Sequence, residues 1–274
     1  MEIFRIKGFD SQGTTKIDLV NHLNIRLRSA NMFLEMLRND HPNSIETVVQ
    51  VLSKSLIDRA GEFVSDLELN EQYSELEKFP NLILQIKSAV LALLNFDKYR
   101  DKIEENKGEV LVSDYLRSFL FLEYYLATSL KSILDRNDAL AYYQNFIDTR
   151  TKLTANPELR WADLSKSKEE MQQFTETTHG HDLNYHKINK GKVTYRINRC
   201  LWHETTKELD DKEFAYSVCC HYDFEAIKTL NENFILTREK TIMLGNQFCD
   251  FCIHDTRVVD EVAHPDSDFW MKLA

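Results

Sequence analysis

The sequence predicts a mixed α+β protein, mainly helical, with a small antiparallel sheet flanked by helices in its C-terminal part. Three observations predict it. Through about residue 150 the apolar residues recur at steps of three and four, the helical period. From Val193 the step changes to two, with Val193, Tyr195 and Ile197 alternating with Thr194, Arg196 and Asn198, as in a half-buried strand. Glycine (7) and proline (4) are scarce in 274 residues, which favours long helices over a sandwich of many turns. The change of period divides the chain into a helical scaffold over 1–150 and an α+β domain over 151–274.

In chain order, a short segment that is either a strand or an arm precedes a helix starting near Thr15. Leu19, Leu23, Leu27, Ala30, Leu34 and Leu37 form its apolar face. The N-D-H-P run at 39–42 ends it, because the residue before proline is pushed out of the α region. Asn43 and Glu46 read as a capping box for a second helix with Ile45, Val48, Val49, Leu52, Leu56 and Ile57 on its face. A charged connection over roughly 65–79 leads to Pro80 and an apolar helix through Phe96. A solvated turn over 97–109 follows, then a helix over 113–135 and a short one over 139–149. Residues 151–167 read as a linker packing on Trp161, 168–177 as a helix and 178–192 as a polar loop. After the strand at 193, the spacing predicts a helix over 200–209 and another over 213–224 capped by Asp210 or Asp211. Strands over 234–243 and 248–254 flank a Gly245-Asn246 turn.

A formal charge of −10 argues against nonspecific nucleic-acid binding, which needs clustered Lys and Arg. No stretch is long and apolar enough to span a bilayer. The N-terminus lacks the basic start, apolar run and small-residue cleavage site of an export signal. The five cysteines are odd in number and all lie C-terminal of residue 199, a pattern that suits reduced thiols in a cytoplasm rather than a disulfide framework. The helical N-terminal region could serve homo-oligomerisation.

Those cysteines, at 200, 219, 220, 249 and 252, concentrate the chemistry between Lys192 and His254. On a helix over 213–224, Cys220 or Cys219 shares a face with Asp223. On the last strand Cys249, Phe251 and Ile253 share one face, and Asp250, Cys252 and His254 the other. Two chemistries fit. A thiolate could attack an electrophilic carbon while a carboxylate shuttles protons and a cation holds an anionic substrate. Alternatively, Cys and His could bind a metal that activates water. The Cys249–Cys252 spacing does not belong to a paired zinc framework, and His179, His181 and His186 lie in a polar stretch, so no metal or other cofactor is assigned. Cys200, Cys219 and Cys252 are read as packing or support. Arg196, Arg199, Arg238 and Arg257 are candidate clamps for a substrate carboxylate, and His221 and Gly245 join the candidate substrate-binding set.

The run Y-R-I-N-R-C, then Cys220-His-Tyr-Asp223, then T-x-x-x-G-x-x-x-C-D-F from Thr241 to Phe251 resembles the L-2-amino-thiazoline-4-carboxylic acid hydrolase family. The resemblance covers about residues 190–254 and picks out Cys200, Cys220, Asp223, Gly245, Cys249 and Phe251. It implies a small-molecule hydrolase that opens a cyclic amidine-like cysteine precursor, with Cys220, Asp223 and Cys249 as catalytic residues. The rival readings are a small-molecule binding or sensor module without turnover and a metal-dependent enzyme of another reaction type.

Overall fold

The computed structural model describes residues 2–60 and 71–274. They divide into two units, one of Thr14–Phe146 and one that joins Met1–Gly13 to Ile147–Ala274. The chain opens on a strand, β1 (Phe4–Lys7), which pairs with a strand of the C-terminal half.

In the first unit, β2 (Thr14–Asp18) precedes α1 (Leu19–Asp40), so the helix starts at Leu19 and Thr15 is strand. The cause is local. Asp18 caps the helix by accepting from Asn21 N at 3.0 Å, while Ile17 is buried against a partner strand. The six residues predicted for the apolar face of α1 are all buried. α2 (Ile45–Ala60) opens with the Ser44 carbonyl accepting from Val48 N at 3.2 Å, which moves the helix start off the Asn43 capping box. Its core face keeps Ile45, Val48, Val49, Leu52 and Leu56, but Ile57 is 42% exposed. Of the predicted charged connection, residues 65–70 lie outside the described residues.

α3 (Pro80–Leu93) stops where Asn95 takes a left-handed φ of 55°, its side chain donating to Asp114 at 2.7 Å, and α4 (Phe96–Tyr99) follows. The expected solvated turn then yields β3 (Lys107–Leu111), antiparallel to β2. Each of these strands buries a single apolar side chain, Ile17 or Val110, too few to register as a period of two. α5 (Val112–Ser129) ends short of the predicted 135 in a tight turn at Leu130–Ser132, and α6 (Arg136–Thr154) is longer than predicted. α1, α2, α3 and α5 pack on one another.

The second unit is built on an antiparallel sheet ordered β1-β4-β5-β7-β6. The predicted linker forms two short turns, with Trp161 edge-on to Phe234 at 6.5 Å, and leads to α7 (Ser167–Thr178). The predicted polar loop is mostly strand, β4 (His181–Asn189). Its polar residues concealed it because they are used internally. Asp182 Oδ1 accepts from Gly8 N and Phe9 N, and Asn184 Nδ2 donates to Leu273 O at 2.7 Å, while Leu183 and Tyr185 are buried. β5 (Lys192–Cys200) turns into α8 (Leu201–Thr206). The helix predicted over 213–224 breaks into α9 (Lys212–Cys219), capped by Asp211, and α10 (Tyr222–Leu230). β6 (Phe234–Thr237) is shorter than expected, β7 (Cys249–Asp255) has the expected alternation, and α11 (Ser267–Lys272) ends the chain. One sheet face buries Tyr185, Tyr195, Phe234, Cys249 and Ile253. The other packs Phe248 and Cys252 against Trp270 and Leu273. Among the described residues no helix is long and apolar enough to cross a membrane.

Each unit holds a buried neutral imidazole. Burial, with Arg26 adding to it, lowers the pKa of His22 to about 3, and its Nε2 sits 2.9 Å from Ser118 Oγ. Burial, with Lys192 and His264, lowers that of His254 to about 4. An unfolded imidazole titrates near 6.5. Because the folded values are the lower ones, the stability these rings contribute is complete above about pH 6.5 and is lost progressively as the pH falls from there to the folded values. Urea midpoints are therefore expected to fall from pH 7 to pH 5.5, where carboxylates change little, and His22→Gln to flatten the loss. A midpoint independent of pH across that interval would contradict the assignment.

Candidate active site

The break between α9 and α10 shapes the site. Cys220 N and His221 N both donate to Tyr216 O, at 2.7 and 3.1 Å, which closes α9 and turns the chain at Cys220. Asp223 N then donates to the freed Cys220 carbonyl at 3.3 Å. The thiol and carboxylate expected on one continuous helix are thus set on either side of a corner.

Arg238 is the hub of this corner. β6 ends at Thr237, and from the next residue Arg238 Nη1 donates to Asp223 Oδ2 at 2.6 Å. Its Nη2 donates to Cys220 O at 2.9 Å and to the Tyr216 hydroxyl at 3.0 Å. The guanidinium carbon lies 4.8 Å from the ring centres of both Phe224 and Phe251. Its side chain is 2% exposed, against 31% for Asp223, so the carboxylate is the part of the pair that solvent reaches. Burial opposes the arginine's charge, but Asp223, Cys220 and Tyr216 together raise its pKa above the usual value. Burial likewise raises the Asp223 carboxyl, with Arg238 pulling the other way.

The second thiol arrives from the start of β7. Between Arg238 and Cys249 the chain makes a tight loop. Thr241 Oγ1 accepts from Met243 N at 3.3 Å, Asn246 Oδ1 accepts from Thr241 N at 3.3 Å, and Gly245 takes φ 94°, where a side-chain-bearing residue would be strained. Cys249 Sγ accepts from Ile242 N at 3.2 Å and donates to Thr241 Oγ1 at 3.6 Å. The same hydroxyl lies 3.9 Å from Cys220 Sγ. One threonine hydroxyl therefore stands between the two candidate thiols.

Burial raises the pKa of all five thiols. Burial raises Cys220 well above its usual value, with Cys219 and Asp223 adding to the effect and Arg238 opposing it. Burial also raises Cys249, against the Ile242 N–H, the Thr241 hydroxyl and Arg238. It pushes Cys200 and Cys252 up to about 12 and raises Cys219 as well. A thiol here attacks only if a neighbouring base takes its proton.

Cys220, Asp223, Arg238 and Cys249 are thus brought together. His221 lies at their edge, its Nε2 3.1 Å from Asp148 Oδ1 on α6. Gly245 is exposed on the loop. The other candidates lie elsewhere. Arg196 is on the opposite sheet face, bonded to Asn198 and 4.2 Å from the Phe248 ring centre. Arg199 stacks on Phe9 at 3.7 Å, and Arg257 pairs with Asp255 at 2.6 Å. Cys200 sits 3.6 Å from His181 Nε2, and that ring stacks on Trp202. His186 Nδ1 bonds Glu2 O, and His179 ends α7 in a left-handed turn, so the three histidines do not converge. Among the described residues no three His, Cys, Asp or Glu side chains are disposed to share a metal ion. Sequence reasoning missed the roles of Thr241, Tyr216 and Asp148. Tyr216 lies four residues before Cys220, a helical step that could have linked them.

A family model described as L-2-amino-thiazoline-4-carboxylic acid hydrolase matches residues 89–253, more than half of the chain. The chain belongs to that family. The match includes every residue of the cluster and extends far N-terminal of the cysteine-rich stretch. No curated protein and no solved structure matches.

Proposed function

We propose that the protein hydrolyses a small cyclic amidine carboxylate of the 2-amino-thiazoline-4-carboxylate type through a Cys/Asp site formed by Cys220, Asp223 and Cys249. The observation that carries this reading is the convergence of two thiols and a carboxylate around Thr241 and Arg238, inside the segment matched by a family named for that hydrolysis. The amidine carbon is electrophilic once its ring nitrogen is protonated. Asp223, partly exposed and with a raised pKa, can deliver that proton and then take one back from the attacking group. If a thiol attacks, its sulfur bonds the amidine carbon and its proton passes to Asp223. Water then displaces the sulfur, which regains a proton. If water attacks directly, Asp223 takes its proton. Either way one water adds, one ring bond to that carbon breaks, C–N or C–S, and the departing heteroatom leaves protonated. Arg238 holds Asp223 in place rather than meeting the solvent.

Incubation with 2-amino-2-thiazoline-4-carboxylate is expected to give a ring-opened product heavier by one water, detected by liquid chromatography with mass spectrometry. One feature favours a second reading, a small-molecule binding module: burial raises the pKa of both candidate thiols, which disfavours the thiolate. That module would show saturable heat of binding in calorimetry and no product. Absence of product would remove the hydrolase reading, and absence of both product and binding would remove the second reading as well.

A further inference from the structure

The back face of the sheet carries a buried polar cluster that the proposed chemistry does not use. Asp250 is 1% exposed and lies on β7 next to Cys249, pointing to the opposite face. Its Oδ1 accepts from Glu239 N at 2.9 Å and from Lys240 N at 2.7 Å, and its own N–H donates to Lys240 O at 3.3 Å. Asp250 thereby lifts the chain off β6 at Arg238 and fixes the loop that carries both Arg238 and Thr241. Its other oxygen, Oδ2, faces His264 Nε2 at 3.2 Å, a polar contact between two buried atoms that have no other partner. The far nitrogen of that ring, Nδ1, lies 2.9 Å from Thr237 Oγ1, on the last residue of β6.

His264 is held there by the C-terminal helix. Asp266 caps α11 by accepting from Phe269 N at 2.8 Å, and Trp270 on that helix is 1% exposed. Trp270 stacks on the His264 ring at 5.4 Å and donates from Nε1 to Pro265 O at 3.0 Å. A continuous chain of contacts thus runs from α11 through His264 and Asp250 to the loop, and from the loop to the two thiols. His264 lies beyond residue 253, where the family match ends.

We propose that Asp250 and His264 form a clasp on the back face of the sheet that positions the 238–241 loop. Through Arg238 and Thr241 they set the geometry of Asp223, Cys220 and Cys249, which makes the C-terminal segment a working part of the site. Both are positioning residues, because neither touches the reacting atoms. The proposal rests on the Cys/Asp reading for its functional meaning, but its test does not need turnover.

The test is site-resolved alkylation of the five thiols by iodoacetamide in the full-length protein at neutral pH, read by peptide mass spectrometry. Two variants are compared with the wild type. His264→Phe keeps a ring to stack on Trp270 and loses both nitrogen contacts. Asp250→Asn keeps the shape and loses the charge. Loosening the loop is expected to speed alkylation of Cys220 and Cys249 by about tenfold, as local opening does. Cys200, whose sulfur sits beside His181 at the end of β5, should stay within about twofold of the wild type. Cys252 packs against Trp270 on the back face and reports any undocking of α11. A comparable rise at all five thiols would reduce the clasp to general support of the fold and overturn the proposal. Unchanged rates at Cys220 and Cys249 in a folded variant would overturn it as well. If His264→Phe fails to fold, Asp250→Asn is judged by the same pattern. A wild type that opens no thiazoline ring would defeat the hydrolase reading and leave the labelling result standing.

Discussion

Asp223→Asn is expected to lower kcat for ring opening by about 10³-fold, within the range for removing a general acid or base, with little change in KM. The size follows from the state of the thiols. Cys220 and Cys249 are both pushed up by burial, so neither is a nucleophile until a base accepts its proton. Asp223 is bonded to Arg238 and still 31% exposed in its side chain, which places it to exchange protons with a substrate. Asparagine can keep the hydrogen bond from Arg238 Nη1 through its own oxygen, so the corner should hold its shape while the proton transfer is lost. Initial rates over a range of substrate concentrations separate kcat from KM. A kcat within about threefold of the wild type would remove Asp223 from the chemistry.

The second large effect is on stability. Arg238→Met is expected to cost about 3 kcal/mol, the lower end for breaking a buried ion pair, because Asp223 remains partly solvated. Methionine fills much of the space between Phe224 and Phe251 but removes the donors to the Asp223 carboxylate and the Tyr216 hydroxyl, and leaves the Cys220 carbonyl with Asp223 N alone. Arg238→Lys keeps the charge without the planar fork that serves three acceptors at once, so it should recover only part of the loss. Urea unfolding at neutral pH measures both. A loss under about 0.5 kcal/mol for the methionine variant, the scale of an exposed pair, would show that the hub does not hold the corner.

The contrast between the two sheet faces shows where the sequence was legible. The alternation at Val193–Ile197 and at Cys249–Ile253 states which side chains share a face, and the structure keeps that division, but both faces are covered, so Thr194, Asp250, Cys252 and His254 are as buried as their neighbours. Leu19 to Leu37 were equally clear, because a long helix buried on one face leaves a repeating signal. Three features gave no such signal. β2 and β3 bury one apolar residue each, and β4 hides its alternation behind Asp182 and Asn184, whose polar groups are satisfied by distant backbone. The break at Cys220 arises because two successive N–H groups share the Tyr216 carbonyl, a choice no periodicity encodes. In the proposed site, residue type, motif and resemblance single out Cys220, Asp223 and Cys249. In the sequence Thr241 figures only as the first residue of a motif, since a hydroxyl between two thiols is visible only once a loop has folded. Arg196 and Arg199 illustrate the converse. Charge suggests them as clamps, but they pack on Phe248 and Phe9.

The most direct test of the Cys/Asp site combines product analysis with intact mass. Wild type, Cys220→Ala and Cys249→Ala are each mixed with 2-amino-2-thiazoline-4-carboxylate and quenched in acid within the first turnover. The account predicts ring-opened product from the wild type and loss of at least about 10³-fold in rate in one or both alanine variants. A covalent adduct on the wild type would identify the thiol that attacks. Unimpaired product formation by both alanine variants would contradict thiol attack and leave water activated by Asp223 as the nucleophile, with thiols that only pack.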